Sequence, residues 1–85
     1  MAEIIHLVGE QGSGKTAMAV LISKDFERRN MKCAGVDDPM TEFMKDRDEA
    51  QTHWPDADVI FLEHLPGEQY KSAPGDRVIT LERIY

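Results

Sequence analysis

The chain holds a single cysteine, Cys33, which excludes an internal disulfide and a structural zinc site of its own. Its setting, Met31-Lys32-Cys33-Ala34-Gly35-Val36, reads as a buried strand, where a thiol packs rather than reacts. Long apolar runs are also missing. None approaches the roughly 18 residues of a membrane helix, and Met1 to His6 lacks the basic start and small-residue cleavage site of a signal peptide. The expectation is a cytoplasmic protein with no membrane partner. Positive charge is scarce, with 10 Lys and Arg against 16 Asp and Glu, a net charge of −6. That excludes a broad nucleic-acid face, which needs clustered cations on the phosphates. Arg28 and Arg29 form a small basic spot at what reads as a helix end, where they complement the dipole. Length is limited too: 85 residues predict one domain, 1–85, with a thin core and no room for a long lid. Such a chain gains more from a bound ligand or partner than a larger one does.

What is present is a regular alternation of strand-like and helix-like segments. Ile4 to Val8 is a nearly continuous apolar run, as expected for a strand buried on both faces of a parallel sheet. His6 within it reads as a packed residue. A helix of about fifteen residues follows the next glycine-rich stretch, with Met18, Leu21, Ile22 and Phe26 spaced along one face. Lys32 to Val36 is the second strand. Asp38-Pro39 has the form of a cap followed by proline at the first helical position. The helix it opens is expected to turn Met40, Phe43, Met44 and Ala50 inward and Glu42, Lys45, Asp46 and Asp48 outward. Pro55 stops it near Trp54, which covers a core edge. Val59-Ile60-Phe61-Leu62 is the clearest strand, closed by Glu63, and Arg77 to Leu81 forms a last, weaker one. The order β-α-β-α-β-loop-β favours an α/β fold, a mostly parallel sheet of about four strands flanked by helices. Between Glu63 and Arg77 the chain is long enough for a parallel crossover and equally suits an antiparallel return along the sheet edge.

Between the first strand and the first helix lies Gly9-Glu10-Gln11-Gly12-Ser13-Gly14-Lys15-Thr16, which satisfies G-x-x-x-x-G-K-[ST] in full. Glycines let the loop take conformations closed to other residues, so successive N–H groups point into one concavity. The helix start aims its unpaired N–H groups and positive dipole end at the same anion. Lys15 adds a point charge for the terminal phosphates, and the Thr16 hydroxyl is suited to magnesium. A strand directly before and an amphipathic helix directly after give the motif the context its mechanism demands.

On these residues the chain resembles the P-loop NTPase superfamily, the octet being its Walker A motif. The resemblance implies a three-layer P-loop-type sheet and a bound nucleoside triphosphate with Mg2+, ATP ahead of GTP. It implies a phosphate cradle of Gly9, Gln11, Gly12, Ser13, Gly14, Lys15, Thr16 and Ala17. The superfamily places an acid at the end of a hydrophobic strand, the Walker B position, to hold magnesium. Glu63 at the end of Val59–Leu62 is similar to that element, so Thr16 and Glu63 are the expected metal residues and Lys15 and Glu63 the catalytic ones. Asp58 starts the same strand and belongs to the opposite edge. Glutamate stands where aspartate is usual, and His64 follows in place of a second acid.

Three functions fit: a slow nucleoside triphosphatase dependent on a partner chain or a second copy, a small-molecule kinase, or a nucleotide-binding module without catalysis. Kinases of the superfamily bind an acceptor near the end of the second strand, where Asp37 stands, and carry an arginine-bearing lid after the third. The corresponding segment, Glu68-Gln69-Tyr70-Lys71-Ser72, offers one lysine and no arginine. Arg47, Arg77 and Arg83 are the remaining candidates for charge on the migrating phosphoryl group. If the third strand lies beside the first, the topology is that of the kinase and GTPase side of the superfamily.

Overall fold

The computed structural model describes residues 2–82. Strand β1 (Glu3–Val8) leads into helix α1 (Lys15–Glu27) and the short strand β2 (Cys33–Ala34). A 3₁₀ turn (Pro39–Glu42), helix α2 (Arg47–His53), strand β3 (Val59–His64) and strand β4 (Arg77–Thr80) complete the order. The sheet runs β2-β3-β1-β4 and every neighbouring pair is parallel. The third strand therefore lies directly beside the first, and the last takes an edge. Residues 65–76 make the parallel crossover without a helix, which settles the direction of β4 against an antiparallel return. No helix among the described residues is long and apolar enough to cross a membrane.

The apolar runs of β1 and β3 are buried on both faces, as continuous hydrophobicity in a parallel sheet requires. Alternation along the strands sorts them. Ile5, Leu7, Val59 and Phe61 pack with Ala19 and Phe26 of α1. Ile4, Ile60 and Leu62 pack with Met44 and Ala50, and Trp54 covers the edge of that cluster. His6 belongs to the second face by its parity with Ile4, and His64 by its parity with Leu62.

Three expectations about these elements are corrected. Leu21 is 64% exposed. The inward row of α1 is Ala19, Ser23 and Phe26, and Leu21, five residues before Phe26, stands roughly 140° away around the helix. The strand expected over Lys32–Val36 spans only Cys33–Ala34. Gly35 there takes φ +77, and a Cβ on it would strike the Phe61 carbonyl oxygen, so the chain leaves the sheet at that point. The single helix expected from Pro39 is two pieces, because a second capping residue follows the first. Asp38 accepts from the Met40 N–H at 3.0 Å, and Asp46 accepts from the Asp48 N–H at 2.8 Å, restarting the helix. The break leaves Phe43 75% exposed and Met40 partly so, with Met44 and Ala50 inward as expected. It also turns Lys45 towards the sheet edge instead of solvent. The Glu42 side chain and Arg83 lie outside the described residues.

Cys33 is half-buried, its thiol 3.8 Å from the Ser23 carbonyl. Burial, with Glu27 and Asp58 nearby, pushes that thiol up, which keeps it a packing residue.

Candidate functional site

The octet leaves β1 at Gly9, whose N–H donates to the His64 carbonyl at 3.0 Å, tying the loop to the end of β3. A Cβ on Gly9 would strike the Ser13 hydroxyl, so glycine is needed there for close approach. Gly12 and Gly14 take φ +82 and +91, the left-handed region that favours glycine. Helix α1 opens on Gly14 with no side-chain cap, so its first N–H groups keep their capacity for an anion. A cleft of about 310 Å³ is lined by Gln11, Gly12, Gly14, Lys15, Thr16, Ala17 and Glu63. Ser13 Oγ is buried and has no hydrogen-bond partner among the described residues. That hydroxyl lies against Gly9 and outside the cleft, so the capacity that fits an anion there is that of the uncapped helix start.

Lys15 does not project freely. Its ammonium donates to the Gly9 carbonyl, folded back over its own loop. Thr16 Oγ1 donates to Glu63 Oε2 at 3.3 Å across 47 residues of sequence. Glu63 is 6% exposed, at the carboxyl edge of the sheet, and its carboxylate also stands 3.5 Å from the buried Thr41 hydroxyl. The Thr41 proton goes to the closer acceptor, the Asp38 carbonyl at 2.9 Å. Asp58 lies at the other end of β3, where its carboxylate accepts from the Lys32 N–H at 2.8 Å. Among the described residues no three His, Cys, Asp or Glu side chains gather to hold a metal. A magnesium ion bound to phosphates needs no such trio, since water and phosphate oxygens fill most of its shell beside one or two protein oxygens. Thr16 and Glu63 are the pair that would supply those.

Glu63 also borders two further clefts. One, of about 220 Å³, is lined by Thr16, Asp37, Asp38, Pro39, Thr41 and Glu63. Asp37 is exposed there in the left-handed region at φ +53, a conformation uncommon for a residue with a side chain. Asp38 is occupied as a cap. The other cleft runs past Gln11, Lys15, Lys45, Glu63 and His64 to Phe43, Leu65 and Glu68.

Two of the arginine candidates, Arg47 and Arg77, are engaged elsewhere. Arg47 makes a two-pronged pair with Asp76, both contacts 2.9 Å. Arg77 pairs with Glu3 at 2.9 Å, near the start of β1 and away from the loop. Lys71, the one lysine of the 68–72 segment, pairs with Asp48 at 2.7 Å. The added cation is Lys45, whose ammonium donates to the Glu63 carbonyl at 2.9 Å and to Glu68 at 3.1 Å.

Behind Lys45 lies a buried polar chain. Lys45 Nζ is 3.5 Å from His64 Nδ1, His64 Nε2 is 2.9 Å from His6 Nδ1, and His6 Nε2 is 3.0 Å from Asp76 Oδ2. Tyr70 stacks on His64 at 3.9 Å between ring centres. An ammonium only donates and a carboxylate only accepts, so with both rings neutral His64 donates to His6 and His6 to Asp76. Burial, then Lys45, then His6 hold His64 well down, at about 3, so it is neutral. Burial works against the Asp76 charge, and the bonds from Arg47 and His6 outweigh it to keep its carboxyl below the usual range.

Sequence reasoning missed Lys45, Thr41 and this chain. Lys45 was hidden by the unforeseen break between the 3₁₀ turn and α2. The histidines were findable: His64 opposes Val8 and His6 opposes Leu62 in register, so parity alone makes them same-face diagonal neighbours.

Comparisons with family models, with curated proteins and with solved structures return no match. The geometry of the site is therefore the basis for its function.

Proposed function

We propose that this protein binds a nucleoside triphosphate with magnesium, ATP ahead of GTP, in a P-loop-type three-layer fold, and hydrolyses it slowly. The observation that carries the reading is the Thr16–Glu63 contact, 3.3 Å, beside a glycine-rich loop at the carboxyl edge of a parallel sheet. Ligands of open α/β sheets bind at that edge. The octet and the acid are far apart in sequence, and their meeting at one sheet edge supports the reading that Thr16 and Glu63 would hold the same magnesium ion. In this reading the loop N–H groups cradle the phosphates and Lys15 leaves the Gly9 carbonyl for the phosphoryl oxygens. Magnesium, when bound, neutralises charge on those oxygens. Glu63 holds it together with Thr16. β3 lies directly beside β1, with β4 on the other side of β1, which supports the kinase and GTPase side of the superfamily.

A second reading, small-molecule kinase, is favoured by the cleft that Asp37 shares with Thr16 and Glu63, a space for an acceptor beside the phosphate loop. The two are separated by turnover: phosphate release without an acceptor marks a hydrolase, and its absence until a hydroxyl compound is added marks a kinase. The test of the reading itself is a thermal-shift titration with ATP, GTP and ADP, with and without magnesium. A magnesium-dependent rise with ATP is expected, abolished by Lys15→Ala in a folded variant. No shift with any nucleotide would refute it.

A further inference from the structure

We propose that Lys45 is a second phosphate-contacting cation of this site, reaching the terminal phosphoryl group from a position set by the buried His6–His64 pair. The inference rests on the nucleotide-binding reading above and names what supplies the charge that the 68–72 segment, with no arginine, does not.

Placement comes first. Lys45 Nζ sits on the carbonyl of Glu63, the residue whose carboxylate meets Thr16, and it lines one cleft with Gln11, Lys15 and Glu63. Thr16 and Glu63 would hold the magnesium that accompanies the terminal phosphates, so a cation beside Glu63 faces the same end of the nucleotide. Lys15 and Lys45 are in like situations. Each ammonium rests on a backbone carbonyl at the end of a central strand, Gly9 after β1 and Glu63 in β3. Such contacts exchange readily for a charged phosphate oxygen, because bonds between two ions are about twice as strong as those to neutral acceptors. The competing anion, Glu68, is already shared with the Leu65 N–H at 2.6 Å.

The surroundings hold Lys45 in place without closing the cleft. Its carbonyl accepts from the Lys71 N–H at 2.8 Å, and Arg47, two residues on, is clamped to Asp76. Asp76 is the terminus of the histidine chain, so one network fixes both the Lys45 backbone and the acceptor at its tip. Apolar residues at positions 6 and 64 would fill the space without the cost of burying polar groups. What the polar chain adds is a directed acceptor for one specific ammonium.

The experiment is calorimetric titration of Mg-ADP and of a non-hydrolysable Mg-ATP analogue into the wild type, Lys45→Met, Lys45→Arg, His64→Phe and Lys15→Ala. Lys45→Met is expected to weaken the triphosphate about tenfold or more, as for a lost ion-to-ion hydrogen bond, and to leave ADP unchanged. Lys45→Arg should keep most of the preference. His64→Phe, which keeps the stacking on Tyr70 but offers Lys45 no acceptor, should lower the ratio of the two affinities about threefold. Lys15→Ala should weaken both ligands together. A Lys45→Met protein with the wild-type ratio overturns the Lys45 assignment and leaves the nucleotide site standing. An unchanged ratio in His64→Phe overturns the positioning role. Wild type that binds neither ligand overturns the nucleotide reading and this inference with it. Should Lys45→Met not fold, Lys45→Gln, which still donates to the Glu63 carbonyl, is read by the same ratio.

Discussion

Acid should unfold this protein through His64. The residue is 1% exposed, and its pKa is held at about 3, against 6.5 for a free imidazole. Burial is the main cause, followed by the Lys45 ammonium and by His6. A depressed histidine means that the unfolded chain binds a proton which the folded chain refuses between those two values. Stability therefore rises with pH across that window and is lost as pH falls below about 6.5. The slope for one such group is about 1.4 kcal/mol per pH unit, and the whole window amounts to about 5 kcal/mol. For a chain of this size total stability is only about 4–13 kcal/mol, so one residue governs much of it. The carboxyl groups act lower. Asp76, with its carboxyl held down, adds a loss of the same sign only as pH drops through the range below 3.8. Urea titrations at pH 7.5, 6.5, 5.5 and 4.5 follow this loss. The wild type should lose roughly 2–3 kcal/mol between pH 6.5 and 4.5. His64→Gln, which can still donate to His6 but does not itself titrate, should lose clearly less over the same interval. Parallel curves for the two proteins would refute the assignment.

Three further outcomes follow from single contacts. Glu63→Gln keeps an acceptor for the Thr16 hydroxyl but removes the charge; magnesium should then improve ATP binding at least tenfold less than in the wild type, measured by titration with and without the metal. Gly35→Ala forces a side chain into φ +77 and against the Phe61 carbonyl, and should cost at least about 2 kcal/mol in urea unfolding. Asp46→Ala removes the cap that restarts the chain at α2 and should cost about 1 kcal/mol, with a loss of helical circular dichroism.

How far the sequence is legible depends on the range of the forces involved. The central strands were readable because burial on both faces leaves a nearly unbroken apolar record, as Ile4–Val8 and Val59–Leu62 do. The glycine-rich loop was readable because its glycines answer to local backbone geometry. Glu63 was placed by topology, since a parallel sheet gathers strand ends at one edge. Helix patterning was less secure. Leu21 matched a face by spacing, yet two of the three residues in the buried row of α1, Ala19 and Ser23, are small. They carry little hydrophobic signal and allow close approach. The stretch 39–53 reads as one amphipathic helix only when the second cap at Asp46 is overlooked.

That overlooked break has the largest functional consequence. A continuous helix from Pro39 would have carried Lys45 on its outer face, away from the end of β3. Because the chain stops at the 3₁₀ turn and restarts at Asp46, Lys45 falls in the intervening turn and reaches the end of β3, while Arg47 opens α2 and reaches Asp76. The crossover 65–76 then completes the arrangement from the other side, bringing Glu68, Tyr70 and Asp76 over the same face of the sheet. Positive charge beside the glycine-rich loop thus comes from two short irregular segments, joined by the Lys71–Lys45 and Arg47–Asp76 contacts and backed by the histidine pair of β1 and β3.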